Sequence, residues 1–340
     1  AFGFDDVERK ARALAAQPYK PPATKLPKQW LDLDYDQYRD IRFRADHALW
    51  RAQKLPFEVM FFHPGFHFDH PVHINEVVGN SVSEVPYSAA QFDYGKNKLA
   101  NASTSRFPGF AGFRVHYPIN SGKYKDEVLV FLGASYFRAL GKGQIYGISA
   151  RGLAIDTGLA SGEEFPSFVE FWLVRPAANA TELTIYALLD SKRVAGAYRF
   201  IVRPGTDTAV DVRERLFLRE PVTRLGIAPL TSMFLSGENQ PSTANDFRPE
   251  VHDSDVVSVQ SGTGEWIVRP LVNPKRLLTS SFALTNPAGF GLMQRDRAFT
   301  SYEDLEARYE SAWLACRLLA QARGLPAAML VRHFERAETD

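Results

Sequence analysis

Between Phe57 and Gln260 the chain is a succession of short β-rich runs, and no long helical period interrupts them. "FEVMFFH", "VHINEVV", "FAGFRVHYPI", "DEVLVFLGASYFRAL", "IYGISARGLAI", "FVEFWLVRP", "LTIYALLD", "AYRFIVRPG", "AVDVRERLFL" and "VVSVQSG" follow one another, separated by clusters of Gly, Pro, Asn and Asp. Strands without intervening helices argue for antiparallel sheets packed face to face, not for a parallel βαβ sheet. The predicted fold is therefore mainly β: a large, many-stranded antiparallel β-sandwich with short helices at both ends.

The ends read differently. "FDDVERKARALAAQ" predicts a short helix capped by Asp5 or Asp6, with Val7, Ala11, Leu14 and Ala15 along one face. "PYKPPATKLP" then breaks regular structure and forms an extended connector, so residues 1–30 are a lead-in to the sandwich. In "SYEDLEARYESAWLACRLLAQARG" the three- and four-residue spacing of Leu305, Tyr309, Ala312, Cys316 and Leu319 predicts a helix, and "AAMLVRHFERAETD" a further short one. One β domain over 1–309 followed by a helical tail over 310–340 is the expected organisation.

Composition narrows the function classes. The 340 residues carry a net charge of +1, so nothing electrostatic favours nucleic acid or an anionic membrane. No stretch of eighteen apolar residues occurs. Aromatic residues make up 13%, which suits a thick β core or a groove whose rings stack on a flat ligand such as a sugar. Cys316 is the single cysteine, so no intrachain disulfide forms. No leader-like segment precedes Ala1; the chain is expected to be cytoplasmic or already trimmed.

Four of the eight histidines, His63, His67, His70 and His73, crowd into "FFHPGFHFDHPVHI". A zinc site needs three or four ligands converging on one point, and none of the tight helical signatures is present. The expectation is a hairpin turning at Pro64-Gly65 with half-exposed imidazoles and no metal. "GKGQIYG" has the spacing G-x-G-x-x-x-G and lies between strands, so it reads as a turn and not as a phosphate cradle. "RPEVHDSDVVSV" is richer in chemistry. It gathers Glu250, Asp253 and Asp255 at a loop-to-strand junction beside Arg248 and His252, and "GEWIVRP" adds Glu265, Trp266 and Arg269. Acids at the rim of a β scaffold can supply the proton donor and base of glycosidic cleavage, and a Trp beside them can stack on a sugar. The same acids can equally satisfy turn amides, and the Trp can be core.

Longer phrases carry a resemblance. "FAGFRVHYPIN", "LGASYFRALGKGQIYGISARGLAIDTG", "GEEFPSFVEFW", "APLTSMFLSGENQP", "RPEVHDSD", "GEWIVRPL" and "NPAGFGLMQRDR" resemble the periplasmic glucan biosynthesis proteins G and D of Gram-negative bacteria, nearly unbroken from Phe2 to Tyr309. That resemblance implies export to the periplasm and a role with osmoregulated glucans whose backbone is β-1,2-linked glucose. It implies a galactose-mutarotase-like sandwich followed by an immunoglobulin-like domain, which this chain is expected to lack. It implies acid/base glycoside hydrolysis or transglycosylation without a cofactor, in which Asp253 is the general base. The acid of the family lies in an "E-T-x-D-N" phrase, and the chain is expected to stop one residue short of it at Glu338-Thr339-Asp340. Tyr309 is the candidate relay, and Asp255, Glu265, Trp266 and Arg269 are candidate sugar contacts. The implied partners are the glucan and a membrane glucan synthase, which a non-catalytic glucan-binding scaffold would assist in the alternative reading.

Overall fold

A computed structural model describes residues 2–22, 26–99, 101–102, 105–145, 147–242 and 245–304, together with the backbones of 314–317 and 326–333. The chain is mainly β, with several antiparallel sheets and few short helices. It divides into two compact units. The first comprises Ala1–Lys142, Gly152–Thr157 and Ser161–Ile227; the second comprises Gly143–Arg151, Gly158–Ala160 and Ala228–Asp340.

In the first unit two sheets face each other. One runs, edge to edge, through Ala209–Leu218, Val194–Arg203, Leu183–Asp190, Ser167–Val174, His73–Val78 and Ser81–Glu84. All its neighbours are antiparallel except Ser167–Val174 and His73–Val78, which run parallel. The facing sheet includes Tyr136–Ala139, Asp126–Leu132, Gly112–Tyr117 and Glu58–Phe62. Alternation decides the core: Phe171 and Leu173 point inward while Trp172 points outward. Phe113 meets Phe171 edge-on at 5.0 Å, and Phe131 meets Phe200 at 5.0 Å, so the aromatic surplus fills the space between the sheets. Truncating one of these rings to Ala would cost about 3–5 kcal/mol.

The N-terminal helix, Phe4–Ala15, forms as its pattern predicts and buries Phe4, Val7 and Ala11 against the outward Trp172, Leu188 and Ala197. The cap differs in detail. Gly3 is the N-cap, and Asp6 serves from inside the first turn, its carboxylate accepting from Gly3 N–H at 2.7 Å. Covering the outer face of the sheet explains why Val194–Arg203 is buried on both sides.

The histidine stretch is not a hairpin. Glu58–Phe62 pairs with Gly112–Tyr117, whereas His73–Val78 pairs with Ser167–Val174 in the other sheet, so residues 63–72 cross from one sheet to the other. A tight turn at Gly65–Phe68, closed by reciprocal backbone bonds of 3.0 and 2.9 Å, starts that crossing. His63 alone is buried. Its ring stacks on Trp30 at 4.4 Å, Nε2 lies 3.0 Å from Tyr87 Oη, and Nδ1 lies 2.6 Å from Pro64 O.

In the second unit Val256–Gln260 lies between Trp266–Pro270 and Gly289–Met293, and Phe234–Ser236 pairs with Val251–His252. The expected helical tail is corrected here. Among the described residues of this segment Phe299–Tyr302 is helical, Leu314–Arg317 is a strand on Gly289–Met293, and Pro326–His333 is a strand on Leu278–Thr285. Leu314–Arg317 adds to the edge of a sheet and Pro326–His333 completes a two-stranded one with Leu278–Thr285; in both cases backbone amides and carbonyls that need partners override the helical spacing. No helix among the described residues is long and apolar enough to cross a membrane.

Candidate functional site

The turn "HDSD" joins the strand Val251–His252 to Val256–Gln260, and of its four side chains His252, Ser254 and Asp255 are buried while Asp253 is half-buried. Asp253 is half-buried. Its backbone N–H donates to Met233 O at 2.8 Å, and Met233 N–H donates back to Asp253 Oδ2 at 3.2 Å, which fixes the carboxylate's direction. Gly147 approaches from the "GKGQIYG" turn: a Cβ there would sit 3.4 Å from Asp253 Cβ. Glycine at that position leaves the flank of the carboxylate uncrowded. The last glycine of the motif that imitates a phosphate cradle thus borders the acidic site.

The neighbouring acids are committed elsewhere. Asp255 is buried, and its carboxylate accepts from Arg295 N–H at 3.0 Å and Arg295 Nε at 2.6 Å. Glu250 is buried and bonds through Oε2 to His252 Nε2 at 2.7 Å. His252 is sealed between Phe234, stacked at 5.5 Å, and Tyr302, edge-on at 5.1 Å. The Tyr302 hydroxyl donates to Asp296 O at 2.7 Å, and burial lifts its pKa above the ordinary tyrosine value, so it is a neutral phenol near pH 7. The Ser301 hydroxyl and the Ala298 N–H both donate to the Asp296 carboxylate and lower its pKa. Arg248 bonds to Asp246 at 2.7 Å and Asp304 at 3.2 Å, and holds Asp246 down at about 2.

Glu238, Glu250 and Asp296 bring carboxylate oxygens within 4.8 Å of one another, the one such metal-compatible group among the described residues. Each already has a protein partner: Arg295 for Glu238 at 3.3 Å, His252 for Glu250, and Ser301 for Asp296. The four histidines of residues 63–73 form no such group.

Trp266 is not a core residue, being 60% exposed. It pairs with Gln260 at the far end of the strand from the "HDSD" turn, whereas Arg269, also exposed, pairs with Val257 near that turn. Glu265 is exposed just before Trp266. The site therefore gathers Asp253, Asp255, Glu250 and His252, while Trp266 and Glu265 stand apart along the strand by roughly 14 Å. Tyr309 lies outside the described residues. Glu238, Arg295, Asp296 and Tyr302 escaped sequence reasoning. They come from "GENQP" and "MQRDRAFTSY", whose distance along the chain hides their convergence on residues 250–255.

The profile of a family described as "Periplasmic glucan biosynthesis protein, MdoG" matches residues 2–316. The chain belongs to this family. It is 64% identical over 317 residues to Glucans biosynthesis protein G of Ralstonia nicotianae, covering 92% of this chain and 63% of that protein. It is 53% identical to the proteins of the same name from Pseudomonas paraeruginosa and Pseudomonas syringae pv. tomato, of which it covers 60% and 49%. The chain thus spans between half and two thirds of the length of the curated relatives it matches.

Proposed function

We propose that this chain acts in the periplasm on β-1,2-linked glucan, with Asp253 as the general base of glycosidic hydrolysis or transglycosylation. The observation that carries the reading is selective access: within residues 250–255, Asp253 is half-buried whereas Glu250 and Asp255 are buried. A base must reach a water or hydroxyl beside the scissile bond, and the acid must protonate the departing oxygen. A separation of about 6.5–9.5 Å between the two carboxyls would make the reaction inverting, and about 5–5.5 Å retaining. The Met233 amide and Gly147 orient the base and give it room.

The test is to incubate the purified chain with linear β-1,2-glucan and count new reducing ends, beside Asp253→Asn. Equal release by both forms would remove Asp253 from the mechanism. The second reading, a glucan-binding scaffold that assists a membrane glucan synthase, is favoured by the exposed Trp266, a ring available for stacking on sugar. Saturable binding with no change in chain length on prolonged incubation would select it.

A further inference from the structure

A groove of about 560 Å³ opens in the first unit, lined entirely by residues of that unit. Its wall on one side is the sheet-to-sheet crossing, and this gives the histidine stretch a role. Because residues 63–72 pass between the sheets, His67, His70 and His73 stand exposed at the mouth of the groove while His63 is drawn into the core. We propose that this groove is a second, non-cleaving saccharide site that holds about two or three sugar rings of a glucan chain. The proposal rests on the glucan reading above.

Three features select a neutral, hydroxyl-rich ring over other ligands. The first is the floor. Phe68, half-buried, lines the groove above the buried core rings of Phe131 and Phe168, and its aromatic carbon suits the C–H face of a pyranose. Gly133, at φ +76°, turns the chain beside Phe68, where a Cβ would lie 3.1 Å from Cε1. Its missing side chain keeps the space beside the ring clear.

The second is the rim, which mixes donors and acceptors. Lys20 only donates, Asp69 only accepts, and the imidazoles do both. Asp69 Oδ1 lies 3.1 Å from His70 Nδ1, so the pair forms one edge of the mouth. A sugar hydroxyl both gives and takes a hydrogen bond, and such a rim can satisfy it in either sense. An anionic ligand would meet Asp69 and Asp190, and a hydrocarbon chain would strand the rim's polar groups without partners.

The third is the lack of a cleaving pair. Asp190, the other carboxylate lining the groove, is bound to Arg219 at 2.7 Å, and that guanidinium also lies over the ring of Tyr19 at 5.8 Å. Asp190 thereby anchors the N-terminal connector as a wall. With Asp190 held by Arg219, Asp69 has no second uncommitted carboxylate beside it among the described lining residues, and the groove is assigned to holding the ligand and not to cutting it.

The experiment uses the full chain and a β-1,2-linked glucose trisaccharide, with affinity read by calorimetry and location by backbone hydrogen exchange. The expected result is slowed exchange in peptides covering 66–73 and 131–136. The double variant His67→Ala/His70→Ala, at exposed positions that leave the fold intact, should bind the trisaccharide about tenfold more weakly. Its rate of reducing-end release at saturating glucan should match the parent. Trisaccharide binding without protection of these peptides, or equal affinity in the double variant, overturns the second site and leaves Asp253's role standing. No trisaccharide binding in a chain that still processes long glucan overturns the second site alone. No binding and no processing of any glucan removes both readings.

Discussion

The imidazole of His252 is wholly buried, and its Nε2 lies 2.7 Å from Glu250 Oε2, one residue before the half-buried Asp253. Among the described residues His252 Nδ1 has no hydrogen-bond partner, so the ring's polar tie to the protein runs through Glu250. Removing that carboxylate strands a buried ring nitrogen. Glu250→Ala is expected to lower stability by about 2–4 kcal/mol, and Glu250→Gln, which keeps an oxygen in place, by about 1 kcal/mol. Urea denaturation of the two variants measures the difference, and equal midpoints would show that the pair carries no weight.

Asp253 and Asp255 are two residues apart and should fail in different ways. Asp255→Ala leaves the Arg295 N–H and Nε without the acceptor they meet at 3.0 and 2.6 Å, with an expected loss of about 2–4 kcal/mol. Asp253→Asn keeps shape and volume, and should change stability by under about 1 kcal/mol while cutting reducing-end release by about 100-fold or more. Denaturation and activity measured on the same preparations separate the two roles; a stability loss in Asp253→Asn as large as that in Asp255→Ala would contradict this division.

Two groups of the first unit, the buried His63 and the half-buried Glu214, titrate in opposite senses. Burial lowers His63 from its ordinary 6.5 to about 4, so below pH 6.5 the unfolded chain takes a proton that the folded chain refuses. Stability from this group falls as pH drops from 6.5 towards 4, by up to about 3 kcal/mol. Burial beside its cross-strand partner Tyr198 raises Glu214 from 4.5 to about 7, so the folded chain keeps a proton that the unfolded chain releases. Its contribution falls as pH rises from 4.5 towards 7. Between 4.5 and 6.5 the two slopes offset each other. Glu214→Gln should expose the His63 slope: relative to the parent, the variant loses about 2–3 kcal/mol on going from pH 6.5 to 4.5. Denaturation midpoints across that range provide the check, and parallel curves for parent and variant would refute it.

Trp266 is 60% exposed on a strand whose neighbours leave its face open to solvent. Trp266→Ala should alter stability by no more than about 0.5 kcal/mol. Where the ring stacks on glucan, the same change should weaken glucan binding by about 5- to 10-fold. Affinity electrophoresis in a β-1,2-glucan gel reads this directly; unchanged retardation would exclude Trp266 as a contact.

The β-rich runs and their turn residues were enough to determine the fold class, because a strand's period of two and its Gly and Pro boundaries are local properties of the chain. The first helix was legible for the same reason, its apolar spacing matching the face it buries on Trp172 and Leu188. The "RPEVHDSD" phrase marked the centre of the candidate site, since Glu250, Asp253 and Asp255 fall within six residues. Tertiary structure alone decided three matters. The tail residues 314–317 and 326–333 became strands because distant strands supply backbone hydrogen-bond partners that helical spacing cannot anticipate. The histidines at 67, 70 and 73 were separated from His63 because the two flanking strands joined different sheets, and strand partnership is a long-range choice. Asp253 was distinguished from Asp255 by Arg295, forty residues further along the chain, because burial and ion pairing depend on which distant side chain arrives beside each carboxylate.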